Sequence, residues 1–131
     1  AIRDIDVLTE YVRQALKRTI TAKYAENRQL KVLTLDANIE NRIMDSVKKV
    51  DNGSYLALDP DTMQNIIQVT RDEIDRVKDL IPHSIILTSP IVRSYYKKLV
   101  DQFLPNIVVL SFNEIDMNVQ IHGVVGISCT Q

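Results

Sequence analysis

At three places this chain passes from one kind of residue pattern to another in the same way. Leu33-Thr34-Leu35-Asp36-Ala37, Leu56-Ala57-Leu58-Asp59-Pro60 and Leu87-Thr88-Ser89-Pro90 each carry a short apolar run into an oxygen-bearing side chain. Helical spacing follows each time. Asp36, Asp59 and Ser89 are therefore expected N-caps, because a side-chain oxygen just before a helix can accept from N–H groups that the first turn leaves without partners. Pro60 and Pro90 suit the first helical position, where a missing N–H removes no bond. A strand feeding directly into a capped helix, three times over, constrains the fold more than any other feature. It calls for an α/β layer with helical crossovers.

The spacing fills in the rest. Strand-like runs are LKVLTLD, YLALDP, SIILTSP, IVVLSF and VQIHGVVGI. Between them, Ile39, Ile43, Val47 and Val50 form one helical face, and Asp51-Asn52-Gly53-Ser54 a turn. Met63, Ile67, Thr70, Ile74, Val77 and Ile81 form a second stripe. A third places Val92, Tyr96, Leu99 and Phe103 inward and Arg93, Lys97, Lys98 and Asp101 outward, with Pro105 closing the helix. The last two strands are joined by the polar NEIDMN, and so short a link is expected to make an antiparallel hairpin. Ahead of all this, DIDVLTEYVRQALKRTITAKY reads as one long helix with Ile5, Leu8, Val12, Ala15, Leu16 and Ile20 on its apolar side. The polar AENRQ then breaks the pattern. The expected division is residues 1–29 as the last helix of a preceding helical subdomain and 30–131 as an α/β subdomain. The fold class is α/β: a small mixed sheet with β-α-β crossovers and a C-terminal antiparallel hairpin, preceded by a long helix.

Composition narrows the function. Sixteen Lys and Arg against 17 Asp and Glu leave a net charge of −1, which gives no electrostatic case for nucleic acid or an anionic membrane. No apolar run approaches the ~20 residues of a membrane-spanning helix. The single cysteine, Cys129, excludes an intrachain disulfide and fits a reducing compartment. The chain opens on Ala1 rather than Met, which leads us to expect a piece of a longer protein.

Ser89 has Thr88 and bulky Pro90 beside it, not the small residues of a nucleophile elbow. His83 sits at the far end of the same strand and His122 on another, so no general base is at hand. The β-to-helix loops carry no glycine, and no phosphate-binding glycine motif exists. The two histidines and one cysteine are too scattered for a metal, and DPDT and DEID lack the spacing of a calcium loop. Tyr95 and Tyr96 beside Lys97 and Lys98 resemble a nucleic-acid stacking platform, but one tyrosine belongs to the core stripe. Catalytic, cofactor and metal sites are all expected to be absent. Two functional readings stand: a docking and assembly module, or a small α/β enzyme whose site the sequence does not display.

Six segments in order, DVLTEYVRQAL, LKVLTLD, YLALDP, TSPIVRSYY, FLP and VLSFNEI, resemble the C-terminal end of the FlhA/InvA family of type III secretion export gates. DVLTEYVRQAL is closer to the flagellar branch. The resemblance implies a membrane-anchored parent with a cytoplasmic region of four subdomains, of which this chain holds the last helix of the third and all of the fourth. It implies a nine-subunit ring on the cytoplasmic face of the bacterial inner membrane, receiving chaperone–substrate complexes and contacting the stalk of the export ATPase. Ser111-Phe112-Asn113-Glu114 matches the family's S-[YF]-N-E tract, with Phe112 where Tyr is commoner, and Thr88 stands where many members have Cys. Asn113 and Glu114 are thereby candidate partner contacts. The competing reading is that they close the turn between the last two strands with side-chain-to-backbone hydrogen bonds.

Overall fold

The computed structural model of the chain describes residues 5–25, 27–81 and 83–129. Two helices open it, α1 (Ile5–Ala15) and α2 (Lys17–Tyr24). There follow β1 (Gln29–Leu35), α3 (Ala37–Asp45), β2 (Val47–Val50), β3 (Gly53–Leu56), α4 (Pro60–Val77) and β4 (Ile85–Thr88). Then come α5 (Pro90–Asp101), β5 (Val108–Ser111), a single 3-10 turn (Phe112–Glu114) and β6 (Gln120–Ile127). Four strands form one parallel sheet in the order β5-β4-β1-β6, and β2 and β3 form a separate antiparallel pair.

The α/β class with crossovers is what the capped junctions implied. Side chains alternate to the two faces of a strand, and both faces of the sheet carry core residues, although the first half of β6 is exposed. On one, Leu33, Leu35, Ile86, Val109 and Ile127 pack with Ile39, Ile43, Ile66, Val92, Tyr96 and Val100 of α3, α4 and α5. Tyr96 is fully buried there, and its hydroxyl lies 2.8 Å from Thr70 Oγ1 of the α4 stripe. Loss of water pushes the Tyr96 hydroxyl well above its ordinary pKa, so it stays protonated. On the other face, Leu30, Val32, Ile85, Leu87 and Leu110 meet Ile115, Val119 and Ile20, Tyr24 and Ala25.

Four expectations are corrected. Val47 to Val50 is a strand, not the end of a helix: α3 stops at Asp45, and Val47 pairs with Leu56 and Val50 with Gly53. The two-residue loop Asp51-Asn52 ahead of Gly53, which sits at φ 150°, is hairpin chemistry that outweighed the apolar spacing. The YLALDP strand consequently belongs to this small hairpin and not to the main sheet. The antiparallel pair is thus internal, and β5 and β6 are not a hairpin at all. They occupy opposite edges of the sheet, and residues 112–119 cross one face to connect them. Their link is polar in composition, yet its Ile115 and Val119 are core residues, which is why it lies on the sheet. Finally, the opening helix is broken at Leu16 (φ −101°, ψ 15°), and of its apolar stripe only Ile20 is even half-buried.

Candidate functional site

The S-F-N-E tract builds the most polar part of the interior. β5 delivers Ser111 to the end of the sheet, and the 3-10 turn brings Glu114 back over it. Glu114 is 0% exposed. Its Oε1 accepts from the Ser111 N–H at 2.9 Å and lies 3.0 Å from Ser111 Oγ. The same hydroxyl is hydrogen-bonded to Asn113 Oδ1, and with one proton it serves one acceptor at a time.

A buried carboxylate is costly unless paired, and helices α1 and α5 supply its cations. Arg13 of α1 places Nε 2.8 Å from Glu114 Oε2. Arg93 of α5 places Nε 3.3 Å from Oε1 and donates to the Val109 carbonyl at 2.9 Å. Arg93 also reaches Glu10 of α1 through its terminal nitrogen at 2.7 Å. The four formal charges cancel. From α2, the Thr21 hydroxyl donates to the Glu114 carbonyl at 2.8 Å and accepts from the Asp116 N–H at 3.1 Å. Beside this network lies a cleft of about 250 Å³ with Arg13, Lys23, Arg93 and Lys97 on its walls.

The two candidates therefore part company. Glu114 is buried and locks the turn to the opening helices. Asn113, next to it, is exposed beside exposed Phe112. The sequence does not single out Glu10, Arg13, Thr21 or Arg93 as members of this network. Arg93, expected outward, is buried. It shares i, i+3, i+7 spacing with Tyr96 and Val100, so the helical wheel held a signal that its charge obscured. Nothing in the sequence pairs Glu10 or Arg13 with residues some eighty or a hundred positions later.

The remaining candidates are structural. Ser89, Asp36 and Asp59 do occupy N-cap positions, with Pro60 and Pro90 following. Only Asp59 accepts a capping bond, from Thr62 N–H at 3.4 Å. Hydrogen bonding to Thr62 holds the Asp59 carboxyl below its ordinary pKa. Its contribution to stability is therefore present at neutral pH and is lost as acid protonates it. The Ser89 N–H donates to Glu40 Oε2 at 2.7 Å, while its hydroxyl is buried with no partner among the described residues. His83 makes an edge contact with the Tyr24 ring, and His122 is exposed on β6. Cys129 is packed into the main core, and burial raises its thiol pKa, which disfavours the reactive thiolate. Among the described residues no group of three or more His, Cys, Asp or Glu is placed to hold a metal. None of their helices is long and apolar enough to cross a membrane.

Known proteins share this architecture. The chain is 42% identical to the flagellar biosynthesis protein FlhA of Bacillus subtilis over 122 residues, 92% of this chain and 18% of that protein. A solved chain from the complex of Chlamydia pneumoniae CdsV and CdsO superposes with TM-score 0.83 and 33% identity, over 98% of this chain and 38% of that one. The nonameric EscV cytosolic domain of a type III secretion system matches with TM-score 0.74 and 30% identity, over 95% and 37%. This chain thus spans only a minor part of the length of its relatives. The FHIPEP family model matches residues 1–120, and the chain belongs to the FHIPEP family, the FlhA/InvA family of type III export-gate proteins.

Proposed function

We propose that this chain is a non-catalytic docking and assembly module at the C-terminal end of a flagellar export gate. In that reading it stands at the cytoplasmic face of the inner membrane as part of a membrane-anchored parent. It contributes to a homo-oligomeric ring, contacts the export ATPase stalk and helps receive chaperone–substrate complexes. The observation that carries the reading is likeness over 98% of the chain to a protein solved together with a second protein, CdsO. Likeness to a nonameric assembly supports the ring.

The division into residues 1–29, closing a preceding helical subdomain, and 30–131, the C-terminal α/β subdomain, belongs to the same proposal. The exposed apolar residues of α1 support it, being the face that a neighbouring helix would cover. Asn113 is the proposed partner contact, since it is the exposed member of the tract, and Glu114 is the residue that fixes its position. The test is a pull-down of flagellar chaperones and the ATPase stalk protein with this chain and with the full cytoplasmic region. Capture by the full region, with stalk binding retained by this chain and weakened by Asn113→Ala, is the expected result. Failure of both to capture either partner would overturn the proposal.

A further inference from the structure

The two edges of the main sheet are finished differently. A free edge presents a row of N–H and C=O groups that can template another strand. On β5 the outward carbonyls are occupied: Lys97 Nζ donates to the Ile107 carbonyl at 2.8 Å, and Arg93 Nε to the Val109 carbonyl at 2.9 Å. On β6 nothing comparable is found. Its eight residues pair with β1 on one side only. The Gln120 N–H bonds to the Arg28 carbonyl, so alternation along a parallel ladder turns the N–H and C=O of Ile121 and Gly123 outward. Among the described residues no side chain is bonded to them. The run Gln-Ile-His-Gly-Val-Val-Gly-Ile holds no Lys, Arg, Asp or Glu to repel a second strand. Ile121 and Val124 are 42% and 36% exposed, and Gly123 lets another backbone approach closely.

We propose that the β6 edge, at Gln120–Gly123, docks an extended, uncharged segment of a partner protein by strand addition. The ladder shift between Val32 and Leu33 makes Val124 an extra, bulged residue, which ends the regular edge at Gly123. That short reach decides the occupant. Two copies of this rigid body joined along four residues would bury far less than the ~1,200 Å² of a stable interface. A flexible segment can instead follow the edge and continue past the bulge. Main-chain bonds supply the attachment, and the exposed Ile121 side chain favours an apolar residue alongside it.

The experiment titrates the chain with a synthetic peptide of alternating valine and threonine, about eight residues long, and follows amide exchange by NMR. The Ile121 and Gly123 amides should slow about tenfold or more. The same peptide N-methylated at every residue, which has no N–H to offer from either edge, should give no protection. Ile121→Lys should weaken binding about tenfold with unchanged thermal stability. No protection by the plain peptide would overturn the proposal. So would equal protection by its N-methylated form, or protection that appears with chain concentration alone and marks self-pairing.

Discussion

Helices α1 and α2 are separated by one residue, yet they are held to the molecule by different physics. α2 is part of the core: Ile20 and Tyr24 pack on the sheet, and Thr21 is fully buried between Glu114 and Asp116. α1 touches the body through charge. Glu10 and Arg13 face Arg93 and Glu114, while Leu8 and Val12, about half exposed, lie on the opposite side of the helix. The contrast teaches that an apolar stripe does not say which side of a helix faces its own domain. Here the polar side faces inward because a buried carboxylate needed cations, and α1 was in reach to provide one.

Five substitutions test that contrast. The largest effect is expected from Glu114→Ala, which strands the charges of Arg13 and Arg93 and should cost about 3–5 kcal/mol. Urea denaturation would read it, and a loss below about 1 kcal/mol would mean the network is not a keystone. Next, Thr21→Val removes one donor and one acceptor from the buried α2 contact. It should cost about 1–3 kcal/mol with an unchanged denaturant slope. Third, Glu10→Gln weakens the α1 attachment alone and should cost about 1 kcal/mol or less. Because Arg93 is buried and Glu10 nearly so, the difference from the unsubstituted chain should largely persist in ~1 M salt, which screens exposed charges most. Smallest of all, Leu8→Glu and Val12→Glu should change the stability of this chain by no more than about 0.5 kcal/mol, because neither side chain is buried in it. A large loss from either would erase the distinction between the two helices.

Much of the fold is legible in the sequence. The three capped junctions located β1, β4 and the starts of α3, α4 and α5, because cap chemistry and apolar runs are local signals. The cap bonds themselves were less predictable. Ser89 has the right backbone geometry, but Glu40, distant in sequence, answers its N–H and its own hydroxyl goes unused. At Val47-Lys48-Lys49-Val50 the i, i+3 valines match helical spacing and not strand alternation, and the tight Asp51-Asn52 loop ahead of Gly53 makes the run a strand. The tract around Asn113 and Glu114 was singled out, but its meaning was split. One residue became an exposed candidate contact and the other a buried anchor.

The sequence by itself determined what depends on neighbours a few residues apart: the α/β class, the capped helix starts, the stripe of α4, and an interior whose alternating strands could be named in advance. Tertiary structure decided everything that depends on long-range pairing. It sent β6 to the far edge beside β1, laid the 112–119 link across a sheet face, and gathered Glu10, Arg13, Arg93 and Glu114 into one neutral cluster. The reason is that strand order and buried charge pairing are chosen by the total of burial and electrostatics over the whole chain. Local patterns fix which faces are apolar, but not which partner each face meets.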